Sequence, residues 1–269
     1  MKNKSSKGIF YLTAMVFVVA VLVFETLGFF SNINASIDDK LLPSRPVSDQ
    51  IVMIAIDNQS IQELGVWPWP RNIHASIIKK LTEHDARVIG YDVTFSESSV
   101  DQDDALLSLA IKMSGKVVLA SEATLSLSDD RLPQSMDTLV PLPMFLQGSE
   151  HGITTLVTDG DGIIRRTPLV FENNAALQKS FALQVAENFS GEISWAKLLE
   201  GDQTYRIPFV SGPESYASIS AIDLINGNVP QEAIENRIVL VGATAPDLHD
   251  SYLTPLEHGE LMPGVEVQA

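Results

Sequence analysis

The sequence contains no cysteine, so its 269 residues can form no disulfide and offer no thiol nucleophile. It also has no glycine-rich phosphate loop, no dinucleotide-binding glycine motif and no HExxH zinc motif. The five histidines are scattered, and only His249, beside Asp250, lies near other candidate acids. These absences argue against an enzyme, and we expect the chain to hold neither a metal ion nor a cofactor.

Basic residues are few compared with acidic ones. The chain has 18 Lys and Arg against 34 Asp and Glu, a formal net charge of −16. Nucleic-acid binding needs a basic face, so we expect no nucleic-acid partner. The acidic surface favours solubility, and it also suits a cationic ligand.

One long apolar run stands near the N-terminus, over residues 9–30, and it contains a single charge, Glu25. A helix of this length spans a hydrocarbon core of about 30 Å. A cleaved signal peptide is the alternative, but its apolar core would be only about 7–15 residues long. We therefore predict a retained transmembrane helix.

The charges that flank the run predict its orientation. Lys2, Lys4 and Lys7 precede it, and Asp38 and Asp39 follow it. Because positive charge stays inside, residues 1–8 should be cytoplasmic. Residues 31–49 then form a connector, and residues 50–269 form one domain on the periplasmic or extracellular side of the cell (inner) membrane.

Apolar segments typical of strands alternate with segments of helical spacing through the first half of this domain. Residues 51–56, 87–95 and 117–120 are apolar runs typical of buried strands, whereas 72–84 and 105–113 have helical spacing. Strands that alternate with helices imply parallel neighbours. We predict an α/β fold with a mixed, largely parallel sheet flanked by helices.

The second half is less regular. We predict a loop over residues 129–147 and a hairpin whose strands, 152–157 and 163–171, flank an Asp/Gly turn. Four shorter elements follow: a helix at 178–188, a strand at 205–209, a helix at 220–225 and a buried strand at 237–242.

Three acids lie at the C-terminal ends of predicted strands. They are Asp57, Asp92 and, after the last strand, Asp250 or Asp247. The carboxyl ends of parallel strands share one crevice, the usual ligand site of open α/β sheets. The acids therefore predict a polar pocket or a hard-cation site, unless each one only caps a helix or closes a turn.

The segment WPWPR, residues 67–71, precedes the first helix of the domain. Trp67 and Trp69 could stack on a ligand, and Arg71 could bind it by charge. The alternative is a rigid buried loop in which Arg71 pairs with Asp57 or Asp92.

The segment DGDG, residues 159–162, does not match a calcium-binding loop, because Ile163 and Val170 occupy ligand positions. We interpret it as a tight turn. Arg165 and Arg166 fall on opposite faces of the next strand, so one should pair with an acid and the other should face solvent. Structural roles are predicted for Asp104, Asp161, Arg165 and Gly242.

Taken together and in order, the motifs resemble the CHASE2 family of extracellular sensor domains over roughly residues 40–269. The matching stretches are Trp67–Arg71 (WPWPR), Ile89–Phe95 (IGYDVTF), Asp101–Leu107 (DQDDALL), Asp159–Pro168 (DGDGIIRRTP), Ile238–Thr244 (IVLVGAT), Asp250, Thr254-Pro255 and Pro263–Val267 (PGVEV). The resemblance implies a bacterial receptor with an N-terminal membrane helix, further membrane helices and a cytoplasmic cyclase, kinase or diguanylate-signalling output. We expect this chain to be part of such a longer protein.

The sequence thus favours a sensor domain that binds a small-molecule or environmental ligand and regulates an output domain. A metal-dependent hydrolase built on Asp57, Asp92 and Asp250 is an alternative, and a structural module without a ligand is another. A stripe of residues on the predicted membrane helix further suggests a homodimer. Its members are Ala14, Val18, Val21, Glu25 and Gly28.

Overall fold

The computed structural model describes residues 3–26, 39, 46–128, 131–174, 176–199, 203–210, 212–256 and 261–269. The helices are α1 (Asn3–Thr26), α2 (Asn58–Leu64), α3 (Arg71–Glu83), α4 (Asp101–Ser114), α5 (Pro143–Leu146), α6 (Phe181–Ser190), α7 (Trp195–Leu199), α8 (Ala221–Asn226) and α9 (Gly264–Val267), with 3₁₀ turns at Gln231–Ala233 and Pro246–Leu248. The strands are β1 (Ile51–Ile56), β2 (Val88–Thr94), β3 (Val117–Ser128), β4 (Arg131–Leu139), β5 (Ser149–Ile153), β6 (Arg166–Thr167), β7 (Val170–Asn173), β8 (Ala176–Lys179), β9 (Tyr205–Arg206), β10 (Ala217–Ser220), β11 (Ile238–Ala243), β12 (Ser251–Leu253) and β13 (Leu261–Pro263).

Nine of the described strands form one sheet, in the order β10-β1-β11-β2-β3-β4-β7-β8, with β5 also paired to β3. The pairs from β10 through β3, and the pair of β3 with β5, are all parallel. Antiparallel pairing begins where β3 continues alongside β4. The predicted mixed, largely parallel sheet is confirmed.

Both faces of the parallel part are buried, as the continuous apolar runs predict. Side chains alternate along each strand: Val52 and Ile54 pack on one face, and Met53 packs on the other. The first face is covered by α3, α4 and α8, and the second by α6 and α9. This two-sided burial fixes the register, because a slip of one residue would exchange the faces.

The predicted loop over residues 129–147 is wrong. Residues 131–139 form β4, and residues 143–146 form the short helix α5. The polar composition of this segment predicts no strand, but β3 extends well beyond Ala120 and offers β4 a row of backbone partners. Pairing with a neighbouring strand therefore outweighs local composition.

The predicted hairpin around the Asp/Gly turn is also wrong. The turn forms, with the Gly162 amide donating to the Asp159 carbonyl at 2.9 Å. Its flanking segments separate, because β5 pairs with β3, β6 with β9, and β7 with β4 and β8. Helix α6 begins at Phe181, where the Ser180 hydroxyl caps it, and Gln178 belongs to β8.

Helix α1 covers most of the N-terminal apolar run, and residues 27–30 of the predicted membrane helix lie outside the described residues. Within the part of the chain that the structure describes, no helix is long and apolar enough to cross a membrane.

We expect Gly152→Ala to destabilise the domain by about 1–3 kcal/mol, because overpacking a rigid contact has this cost. A Cβ at Gly152 would lie 2.5 Å from the Cα of Phe181 and 2.7 Å from its backbone nitrogen. Gly160→Ala is the matched control, since nothing lies within 4 Å of its Cβ position. Equal stability of the two variants in chemical denaturation would contradict this packing.

Candidate functional site

A cavity of about 640 Å³ lies at the carboxyl edge of the parallel sheet. The chain that follows β2, β5 and β11 forms its walls, as expected for the loop edge of an α/β fold. Its lining residues are Trp67, Pro68, Arg71, His74, Asp92, Val93, Thr94, Ser96, Glu97, Glu122, Thr154, Thr155, Leu156, Ala243, Leu248, Asp250, Tyr252, Gly264 and Gln268.

Carboxyl groups form one side of this cavity. Asp92 lies near the end of β2, Glu122 lies on the neighbouring strand β3, and Asp250 follows β11. Burial, together with the charges of Asp250 and Glu122, raises the pKa of Asp92 to about 8. The Thr94 hydroxyl donates to Glu122 at 2.6 Å, which holds that carboxylate at the rim.

Asp250 is held from two directions. Its carbonyl accepts a hydrogen bond from the Gly264 amide at 2.9 Å. A Cβ at Gly264 would lie 2.5 Å from Oδ1 of Asp250, so only glycine allows this close approach. Burial and the charge of Glu122 raise the pKa of Asp250, opposed by a hydrogen bond from Tyr252.

Aromatic rings form the inner wall. Trp67 lines the cavity and packs edge-on against Trp69 and His74, with ring centroids 5.2 and 5.7 Å away. The fully buried His74 is also part of the wall, and its Nδ1 lies 2.8 Å from the Tyr91 hydroxyl. Burial and the charge of Arg71 lower the pKa of His74 to about 3, so its imidazole is neutral.

Of the two tryptophans proposed from the sequence, only Trp67 lines this cavity. Trp69 is 3% exposed, and its indole nitrogen donates to the Gly65 carbonyl at 3.0 Å. Trp69 therefore supports Trp67 and His74 from the core.

Arg71 does not pair with Asp57 or Asp92, and this prediction is corrected. Its Nε lies 3.8 Å from Oδ1 of the buried Asp104, and its guanidinium carbon lies 4.4 Å from the centre of the Phe95 ring. The carboxylate of Asp104 also accepts the Ser99 amide at 2.8 Å. Arg71 lies at the start of α3, which packs beside α4, and the first turn of α4 supplies Asp104.

Asp57 does not share the cavity with Asp92 and Asp250, so the predicted three-acid crevice is wrong. Strand β11 lies between β1 and β2, and the chain that follows it divides the sheet edge in two. Asp57 lines a second cavity of about 1090 Å³ on the far side. It caps α2 by accepting the Ser60 amide at 2.9 Å, and it also accepts the Ser220 hydroxyl at 2.8 Å.

The division of the edge also removes the basis of the predicted hydrolase site, which needed Asp57 beside Asp92. Among the described residues, no group of three or more His, Cys, Asp or Glu side chains is arranged to hold a metal ion.

Arg165 is buried among three carboxylates. Its guanidinium donates to Asp39 at 2.9 Å, to Asp159 at 2.8 Å and to Asp161 at 2.8 Å. The hydrogen bond from Arg165 lowers the pKa of Asp161. The sequence predicted that one of the two arginines pairs with an acid and left open which one. Arg165 is the one that does, Arg166 is exposed, and the ion pair joins Asp39 to the domain.

Gly242 of β11 faces Val265 of α9, and a Cβ there would lie 2.6 Å from the Cβ of Val265. Its role is close packing behind the cavity. Sequence reasoning did not find Glu122, His74 or Tyr252. Glu122 lies on the part of β3 that was predicted to end at Ala120, and the other two have no local motif.

The parallel sheet is covered on both faces and has a polar cavity at its carboxyl edge. This is the usual arrangement of α/β domains that bind a ligand. The family model for the CHASE2 domain matches residues 14–269, and the chain belongs to this family. CHASE2 domains are extracellular sensory domains of signalling receptors and are not catalytic. No curated protein and no solved structure matches the sequence.

Asp92→Asn should change how stability depends on pH. The pKa of Asp92 is raised from its ordinary 3.8 to about 8, so between these values the folded state keeps a proton that the unfolded state releases. The contribution of Asp92 to stability therefore falls as pH rises from about 4 to about 8, and the variant lacks this contribution.

Between pH 4 and pH 8, the free energy of unfolding of Asp92→Asn should increase relative to that of the wild type by at least about 1.4 kcal/mol, the equivalent of one pKa unit. Denaturation curves at several pH values measure this gain. Glu232→Gln, at an exposed position outside the cavity, should keep the wild-type slope. Parallel pH profiles of Asp92→Asn and wild type would disprove the assignment.

Proposed function

We propose that the chain is the extracytoplasmic sensory part of a transmembrane receptor, and that its ligand binds in the 640 Å³ cavity. Bound ligand would regulate a cytoplasmic output domain of the cyclase, kinase or diguanylate-signalling type. The cavity carries this proposal, because convergent polar groups on an aromatic and apolar wall are typical of small-molecule sites. A sensor needs only different affinities in two conformations, and no catalytic group is required.

The proposal places residues 9–30 across the cell membrane, with residues 1–8 cytoplasmic, residues 31–49 as the connector and residues 50–269 outside. The described part of α1 is by itself not long and apolar enough to cross, so the proposal depends on the whole run of residues 9–30. Exposed apolar side chains on α1 support it, among them Phe10 at 67% and Phe17 at 70%. Such a continuous apolar surface favours lipid or a partner helix over water.

A homodimer through α1 completes the proposal. Two anchors can shift against each other by piston, tilt or rotation, whereas a single helix has no partner to move against. The stripe of Ala14, Val18, Val21, Glu25 and Gly28 is the proposed contact, because an acid in the membrane costs less against a partner than against lipid.

Contacts between the cavity and the connector support signal transfer. Tyr252 lines the cavity, and the carbonyl of the next residue, Leu253, accepts the Ile164 amide at 2.9 Å. Arg165, the residue after Ile164, donates hydrogen bonds to Asp39 of the connector. We propose that a change at Tyr252 reaches the membrane helix through this short series of contacts, here called the Arg165 link.

A topology fusion tests the membrane placement. A reporter that works only outside the cytoplasm, fused after Ala269, should be active because positive flanking charge keeps residues 1–8 inside. A cytoplasm-dependent reporter at the same junction should be silent. Activity of the second reporter and silence of the first would refute the proposed placement.

Cysteine scanning tests the dimer and the Arg165 link in this naturally cysteine-free chain. Crosslinking along residues 14–28 should peak about every 3.6 residues and include the stripe positions. Asp39→Asn keeps the side-chain shape but removes the charge that Arg165 binds, so it should move the peak or lower it at least about twofold.

The control for this scan is Asp49→Asn, which removes an exposed charge from the same connector. It should leave the crosslinking profile unchanged. Uniform weak crosslinking would rule out the dimer, and identical profiles for Asp39→Asn and the wild type would rule out the Arg165 link.

A further inference from the structure

We propose that the ligand of the 640 Å³ cavity is a small organic cation that carries a protonated amine. This inference rests on the proposed function, since it names the chemical class that the sensor would recognise. The charge of the cavity wall, its aromatic surface and its size lead to the same class.

The charge of the wall is unbalanced. Four carboxyl groups line the cavity, and Arg71 is the one cationic group among its described lining residues. The four are Asp92, Glu97, Glu122 and Asp250. An anion would have to approach these groups closely, whereas an ammonium group would relieve their mutual repulsion.

Arg71 neutralises this wall only in part, because its charge acts on Glu97 but is shared with Asp104, which lies outside the cavity lining. Arg71 lies 3.8 Å from the buried Asp104 and over the face of Phe95. Repulsion from Asp250 and Glu122 contributes to the raised pKa of Asp92, so these three acids oppose one another's ionisation. A cationic ligand would supply the missing charge.

The rest of the wall suits an organic molecule better than an inorganic ion. Trp67 offers an aromatic ring for a cation, and Val93, Leu156 and Leu248 add apolar surface. A volume of about 640 Å³ fits a small molecule with a carbon skeleton. No described group of acids and histidines has the arrangement of a metal site.

His74 adds a neutral polar group to the wall. It is fully buried, its Nε2 has no hydrogen bond of good geometry within the described residues, and a backbone interaction with Trp69 also acts on the ring. Buried polar groups are nearly always satisfied, so such a group is a natural partner for a bound molecule. The neutral imidazole can accept a hydrogen bond when its Nδ1 donates to Tyr91.

Binding of such a cation should depend on pH. Asp92 shares the cavity with Asp250, Glu122, Glu97, Tyr252, Arg71 and His74, and it holds a proton below pH of about 8. An ammonium group favours the ionised carboxylate, so binding at lower pH must displace that proton. Affinity should therefore rise as the pH increases toward 8.

Three probes of similar shape and different charge test the class: phenethylamine, 2-phenylethanol and phenylacetate. Calorimetry on the purified full chain should give phenethylamine at least about tenfold tighter binding than the alcohol, a difference expected for one charged contact. Phenylacetate should bind most weakly. Phenethylamine affinity should rise at least about tenfold from pH 6 to pH 8, where the probe remains an ammonium ion.

Variants locate the binding. Asp92→Asn and Asp250→Asn should each weaken phenethylamine at least about tenfold, and Asp92→Asn should also remove the pH dependence. Glu232→Gln makes the same charge change at an exposed site outside the cavity, and it should bind phenethylamine like the wild type. Thermal unfolding of each variant verifies that it is folded.

The proposal is overturned if phenylacetate binds tighter than phenethylamine, if the amine and the alcohol bind equally, or if no probe binds. It is also overturned if Glu232→Gln loses as much affinity as Asp92→Asn. These outcomes leave the sensor function itself open to its own tests. That function fails separately if the topology fusion reports a cytoplasmic domain, or if saturation with a bound probe leaves anchor crosslinking unchanged.

Discussion

The parallel pairing of β11 between β1 and β2 is the constraint on which the rest of the domain depends. Because neighbouring strands are about 4.8 Å apart, this insertion separates the ends of β1 and β2 by roughly 10 Å. The chain that leaves β11 then turns back over the edge and contributes Asp250 and Tyr252 to the cavity beside Asp92. Strand β11 and the chain after it therefore divide the sheet edge and supply part of the cavity lining. Gly242 of the same strand packs against α9.

The cavity and the Arg165 link treat clustered acids in opposite ways. Around Arg165, three carboxylates share one guanidinium that donates to each of them, and this holds Asp39 against the domain. In the cavity, no guanidinium of the described residues donates to Asp92, Glu122 or Asp250, and burial raises the pKa of Asp92. Repulsion within such a cluster weakens the folded state, and acids with perturbed pKa values in a cleft are candidates for a functional site. The first cluster is structural, and the second is the proposed sensor.

Helices α3 and α4 show how one fold supports both stability and recognition. Their contact places Arg71 beside Asp104 and over Phe95, and it fixes the ring of His74 under Trp67. These rings continue the hydrophobic core up to the wall of the cavity. The wall is therefore pre-organised, which lowers the ordering cost when a ligand binds.

By itself, the sequence determined the α/β class, the parallel strands, the family and two of the cavity acids, because buried strands and the residues at their ends leave a local pattern. It did not determine β4, whose polar segment is a strand only because β3 offers backbone partners. Nor did it determine which acids meet. Asp57 follows β1 and Asp92 lies near the end of β2, and the position of β11 separates them. Arg71 lies beside Asp104 because helices α3 and α4 pack together. Glu122 lines the cavity because of the register of β3 against β2. Strand order and helix packing are long-range, and no local pattern encodes them.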